Sequence, residues 1–131
     1  MTSPDEDLVT YRLQRARESL GDARLLAEAK RWNPCVNRLY YACFYAVSAL
    51  LAQEGMSLSK HSGVRSLFNR HFVKTGKISV DIGRIFNDLF ERRQEGDYID
   101  FVRFEQSQVY AWFPEADAFV ECIASLLMKG A

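Results

Sequence analysis

The chain has 131 residues, and its 17 Lys plus Arg equal its 17 Asp plus Glu, so it is formally neutral. At 48% hydrophobic and 26% charged it has the composition of one globular domain, taken as residues 1–131. Neutrality excludes a chain-wide basic nucleic-acid binder and an acidic tail but leaves room for a local basic patch, and three prolines with seven glycines exclude low complexity.

Ser3-Pro4-Asp5-Glu6 combines a capping residue, a proline at the first helical position and a Glu three residues after the cap. Val9, Leu13, Ala16, Leu20, Ala23 and Ala27 then recur at spacings of four and three, which predicts an amphipathic helix over about 4–30. Arg12, Arg15, Glu18, Asp22 and Glu28 fall on its other faces. Asn33-Pro34 repeats the cap-then-proline signal, and a second helix is predicted from Cys35 to Glu54. Val36, Tyr40, Cys43, Val47 and Leu50 form one apolar stripe, with Leu39, Ala46 and Ala49 beside it. A helix apolar on most sides is central to a bundle or covered by a partner chain. Gly55 supplies a left-handed stop.

After the polar stretch Ser57-Leu58-Ser59-Lys60, a third helix is predicted over about 60–73, with Val64, Leu67, Phe68 and Phe72 facing inward. Ser79 caps a fourth over about 80–95, carrying Ile82, Phe86 and Leu89, and Gly96 ends it. Asp97 to Arg103 reads as an irregular connection, since no other segment would pair with it as a strand. The last helix is predicted over about 106–128, with Pro114 either kinking it or opening a fresh first turn. The fold class is therefore all-α: an up-and-down bundle of four to five helices joined by short loops. No run of about 18 apolar residues exists, so no membrane span is expected. The acidic N-terminus has no basic or apolar segment of a signal peptide.

Candidate chemistry is sparse. Cys35, Cys43 and Cys122 are odd in number and lack Cys-x-x-Cys spacing, which fits reduced thiols in a cytoplasmic setting. Cys35 and Cys43 stand about 12 Å apart by helical rise, too far for a disulfide. His61 and His71 belong to no Glu-x-x-His, His-Glu-x-x-His or Cys/His cluster, and Lys74-Thr75-Gly76-Lys77 is too short for a phosphate loop. No metal or cofactor is expected. On the second helix Asn37, Tyr41, Tyr45 and Ser48 share a face, with Arg38 beside them. They either line a cleft and hydrogen-bond a ligand or send their hydroxyls to backbone and water. Arg92 and Arg93, near a helix C-terminus, either complement its dipole or grip phosphate bidentately. Lys60 and His61 are either polar cap residues or an anion contact at a helix N-terminus. Arg38, Lys60, Arg65, Arg92 and Arg93 are expected to converge near one cleft.

Four stretches carry a family resemblance: Asn37-Arg38-Leu39-Tyr40-Tyr41-Ala42-Cys43-Phe44-Tyr45-Ala46, Ser59-Lys60-His61-Ser62-Gly63-Val64, Phe72-Val73-Lys74-Thr75-Gly76, and Leu89 through Arg92-Arg93 to Asp97-Tyr98. In this order they resemble the HEPN superfamily (higher eukaryotes and prokaryotes nucleotide-binding), in particular the stand-alone bacterial and archaeal group often encoded beside a minimal nucleotidyltransferase. The resemblance implies a helical bundle that dimerises. It also implies, for many members, metal-independent RNA cleavage by an Arg followed after four to six residues by His. In this chain Arg92 and Arg93 are followed by Asp97 and Tyr98 with no His, and Arg65 to His71 has the spacing only on the third helix. An ionised Asp only accepts hydrogen bonds, and a phenol is a weak base. The expectation is a homodimeric module of a toxin–antitoxin-like pair that binds a nucleotide, RNA or a nucleotidyltransferase partner. Its candidate residues are Asn37, Arg38, Tyr41, Lys60, His61, Arg92, Arg93, Asp97 and Tyr98. A ribonuclease using His61 or His71, and a purely structural assembly module, stand as alternatives. Trp32, Trp112 and Phe113 need covering, which adds to the case for a dimer.

Overall fold

A computed structural model of the chain describes residues 4–56 and 61–129. The described part holds α1 (Pro4–Glu28), α2 (Trp32–Gln53), α3 (His61–Phe68), a π-helical turn (Asn69–Val73), α4 (Val80–Tyr98) and α5 (Gln106–Lys129). Ser3, expected to cap α1, and the stretch Ser57–Lys60 lie outside the described residues.

The helix apolar on most sides is the axis of the bundle. α2 packs along α1 and against α4 and α5, and thirteen of its residues are buried. The bundle itself therefore covers α2, and that face no longer argues for a partner chain. By length and composition α2 resembles a membrane span, yet 67% of that window is buried inside the bundle. Small residues set the α1–α2 contact: Ala16, Ser19 and Ala23 are buried on α1, and Cys35 Sγ approaches the Ala23 carbonyl to 3.2 Å. Four helices each send one ring to the centre. Tyr40 and Phe86 lie parallel at 5.8 Å, Phe119 follows at 5.8 Å, and Phe68 meets Phe86 edge-on at 5.5 Å.

Helix ends differ from expectation in three places, each for a tertiary reason. α1 stops at Glu28, where Lys30 takes a left-handed φ of 58°. Arg31 N–H reaches back to the Leu26 carbonyl at 2.9 Å and Lys30 N–H to Ala27 at 3.0 Å, a Schellman closure without glycine. Asn33 does not cap α2: the helix begins at Trp32 and its cap position, Arg31, makes no side-chain bond. Asn33 is spent instead on a segment distant in sequence, the end of α4 and the connection that follows it. Its Nδ2 donates to the carbonyls of Gly96 (3.2 Å) and Val102 (2.8 Å), and its Oδ1 accepts from Phe104 N–H (3.0 Å). Gly96 does not end α4, which continues to Tyr98. A Cβ at 96 would come within 2.7 Å of the Phe104 ring, so glycine is there to let that ring lie on the helix.

The remaining predicted features hold with adjustments. Gly55 closes α2 with φ 74°. The third helix is split by its π-helical turn, where Lys74 N–H bonds to Asn69 O at 2.8 Å. α5 is one uninterrupted element through Pro114, which is exposed. Trp32 packs edge-on to Tyr110 and Trp112 edge-on to Phe104, so both find cover within the chain.

Candidate functional site

The polar cluster forms where the start of α3 and the last turns of α4 meet the first half of α2. Its centre is Arg93, only 7% exposed although it is a guanidinium. It lies over the Tyr40 ring at 4.8 Å, and the Phe90, Tyr41 and Tyr98 rings surround it at 5.4, 5.8 and 5.9 Å. Cations over aromatic faces are attracted by the ring quadrupoles, more so when water is excluded. Its carboxylate partner is Asp97, one turn further along α4, with Nη1 to Oδ2 at 3.9 Å. That distance is too long for a charge-assisted hydrogen bond. Arg93 Nε is buried with no hydrogen-bond partner among the described residues, a deficit of about 1–3 kcal/mol.

α2 supplies the second row. Asn37 Nδ2 donates to Asp97 Oδ2 at 2.9 Å, and Arg38 Nε donates to Asn37 Oδ1 at 3.1 Å. Arg38 also covers the Tyr41 ring at 4.8 Å. From α3, Arg65 lies over the Phe90 ring at 3.8 Å, donates to Asn87 Oδ1 and faces Glu91 at 3.9 Å. Asn87 in turn bonds Asn69 of the π-helical turn, which locks that turn to α4.

His61 opens α3 and stacks on Phe44 at 4.2 Å. Its Nδ1 lies 2.8 Å from the hydroxyl of fully buried Tyr40. Burial pushes the Tyr40 phenol up, against the pull of Arg93, so it stays protonated. A buried hydroxyl uses its hydrogen, and the acceptor beside it is His61 Nδ1. Assigned from this bond, the ring proton sits on Nε2. Burial, and secondarily the charge of Arg93, hold the His61 pKa below its ordinary value. His61 is thus a neutral imidazole presenting an N–H donor. His61, Phe90, Arg93, Gln94 and Tyr98 line an open hollow of about 590 Å³.

Of the residues expected to act together, Asn37, Arg38, Tyr41, His61, Arg93, Asp97 and Tyr98 do come together. Lys60 lies outside the described residues. Arg92 does not join them: one position along the helix it turns to α5, lying over Trp112 at 4.3 Å and facing Glu115 at 3.6 Å and Asp88 at 4.0 Å. The expected convergence of Arg92 with Arg93 is therefore corrected. Tyr45 and Ser48 also leave the polar line, because α1 claims them. Arg15 donates to the Tyr45 hydroxyl at 3.1 Å and Arg12 to the Ser48 carbonyl at 3.0 Å. Sequence reasoning placed Tyr40 in the core stripe and missed its link to His61. The run of Tyr40, Tyr41 and Phe44, one face of which meets a histidine, was the available signal.

Cys35 and Cys43 are buried thiols. Burial pushes the Cys35 thiol up to about 11 and raises Cys43 as well, away from the nucleophilic thiolate. Among the described residues, no three His, Cys, Asp or Glu side chains group as a metal site.

The sequence pattern of the family described as HEPN domain matches residues 9–126. A Thermotoga maritima protein named "UPF0332 protein" is 48% identical over 122 residues, covering 93% of this chain and 92% of its own. A Methanocaldococcus jannaschii protein named "Putative toxin MJ0605" is 34% identical over 115 residues, covering 87% and 84%. The Gloeobacter violaceus "UPF0332 protein glr0978" is 38% identical over 98 residues, covering 75% of each chain.

Proposed function

The chain belongs to the HEPN domain family, and from that membership we propose that it is a homodimeric module binding a phosphate group of a nucleotide or RNA at Arg93. Its setting is a cytoplasmic toxin–antitoxin-like pair with a nucleotidyltransferase partner. The name of the M. jannaschii relative supports the toxin-like setting. The observation that carries the binding role is Arg93 itself: buried to 7% exposure, answered by a single carboxylate at 3.9 Å, and lining an open hollow. A phosphate oxygen entering the hollow gives this guanidinium the short partner it lacks. His61 Nε2–H and the exposed Tyr98 ring stand at the same hollow to donate to the phosphate and to stack on a base.

Calorimetric titration with nucleotides and short RNA tests the reading. Binding in the micromolar range, lost in Arg93→Ala, supports it; no binding to any of these ligands sinks it. With a single phosphate gripped, log affinity falls with log salt at a slope of only about −0.7 for single strands. Sedimentation at high micromolar concentration tests the homodimer, and co-purification with the neighbouring gene's product tests the partner.

His61 gives a second reading its foothold, because it stands beside Arg93, whose charge it feels. In metal-independent RNA cleavage an Arg holds the phosphate and a His moves the 2′-OH proton. The Tyr40 bond opposes this use, since it commits Nδ1 as acceptor and leaves Nε2 already protonated. Cleavage of tRNA without metal, abolished by His61→Ala, would establish the ribonuclease; intact RNA at high protein excess leaves the binding module.

A further inference from the structure

Phe101, in the connection between α4 and α5, is fully exposed, and its backbone takes a φ of 67°, a left-handed conformation that bulky side chains avoid. Among the described residues Lys30 is the other non-glycine residue there, and the closure of α1 accounts for it. The connection is braced on both sides of Phe101. Asn33 Nδ2 donates to the Gly96 and Val102 carbonyls, Asn33 Oδ1 accepts from Phe104 N–H, and the Phe104 ring lies on Gly96. Strain held by a braced loop points to a use for the side chain it displays. An apolar ring already fixed in place also pays little ordering entropy on binding.

Phe101 and exposed Ile99 line an open hollow of about 570 Å³ at this end of the bundle. It shares no lining residue with the hollow at Arg93. A second hollow, of about 560 Å³, shares its Asn33-Pro34 and Gly96-Asp97 walls and continues to Leu26, so the two form one elongated groove. Lys30, Arg31 and Arg103 line the first hollow and enter no ion pair among the described residues. Of its two carboxylates, Asp97 already faces Arg93, which leaves Asp100 against three cations. Glu28, Glu95 and Glu105 flank the groove in sequence without lining it. We propose that this groove docks an extended acidic segment of a partner protein, with Phe101 and Ile99 as apolar anchors and Lys30, Arg31 and Arg103 answering its carboxylates. Asp97 and Asp100 stand among the cations and oppose a uniformly charged phosphate backbone, whereas a polypeptide carries its charges at separate positions beside apolar side chains. The proposal is independent of the reading of Arg93 as a phosphate site.

The probe is a short fluorescent peptide alternating Glu and Leu, titrated with the full chain and followed by anisotropy. It is expected to bind about tenfold more tightly than the same peptide with Gln in place of Glu. Phe101→Gly is expected to weaken it by about tenfold, and Arg103→Glu by a similar factor. Glycine adopts the left-handed region freely, so Phe101→Gly keeps or raises the melting temperature, which separates lost docking from lost folding. Equal binding of the two peptides, no binding of the acidic one, or undiminished binding by Phe101→Gly overturns the proposal. So does an oligouridylate that binds the chain more tightly than the peptide and loses affinity in Phe101→Gly, since the groove is then a nucleic-acid surface. The comparison of the two peptides needs no variant. Failure of nucleotides or RNA to bind at Arg93 leaves these expectations as they stand.

Discussion

Arg92 and Arg93 are adjacent on α4, and their surroundings are opposite. Arg92 faces α5, lies over Trp112 and meets two carboxylates, Asp88 and Glu115. Arg93 faces α2 and α3, is more deeply buried and meets one carboxylate at 3.9 Å; among the described residues each guanidinium keeps one buried nitrogen without a hydrogen-bond partner, Nη1 of Arg92 and Nε of Arg93. A turn of about 100° along a helix separates a cation facing two carboxylates from one facing a single carboxylate. What distinguishes a structural arginine from an available one is the number of acceptors facing it, not its burial or its charge.

The comparison breaks first on ligand binding. Arg93→Ala should weaken binding of short RNA by about 10- to 100-fold, equivalent to roughly 1.5–3 kcal/mol for hydrogen bonds to a charged group. Arg92→Ala should stay within about twofold of wild type in the same titration, and equal losses would erase the distinction. Asn33 ties the end of α4, and with it Asp97, to the start of α2 through three hydrogen bonds. Asn33→Ala should cost about 2 kcal/mol in urea unfolding, because buried backbone groups lose partners. Tyr40→Phe removes one hydrogen bond on the Arg93 side and should cost about 1 kcal/mol.

The smallest effect is in pH. His61 has a folded pKa below its unfolded value of 6.5, so the unfolded chain binds the proton more readily. The stability it contributes is complete above pH 6.5 and is lost as pH falls through the folded value. Melting temperature should therefore fall less between pH 7.5 and 5 in His61→Gln than in wild type. An identical fall in both proteins would remove His61 from the Arg93 side of the comparison.

The helices were legible because their stripes are long and regular: Val9 through Ala27 and Val36 through Leu50 leave little choice of period. The errors fell where one side chain serves a distant segment. Asn33 has the residue type and position of a cap, and no local pattern reveals that its amide is committed 63 to 71 residues away. Gly96 has the type of a stop, and only the Phe104 ring explains it as a contact surface. Within the site, the spacing of Asn37 and Tyr41 and the adjacency of Arg93 to Asp97-Tyr98 were readable. The separation of Arg92 from Arg93 was not, because it depends on how α4 is rotated against its neighbours. Tyr40 belongs to the core, as its stripe implies, and its hydroxyl is the part that periodicity cannot see.

The placement of the two tryptophans has an optical consequence. Trp32 of α2 packs against Tyr110 of α5, and Trp112 of α5 against Phe104 and Arg92, so both indoles lie at contacts made by α5. Tyr40, Tyr41 and Tyr98 gather instead around Arg93. Indole emission reports on the α5 contacts, while three of the six tyrosines report on the surroundings of Arg93. A ligand at Arg93 should leave tryptophan fluorescence almost unmoved while perturbing the tyrosine spectrum, so the chain carries its own two-channel label for deciding which side a molecule has touched.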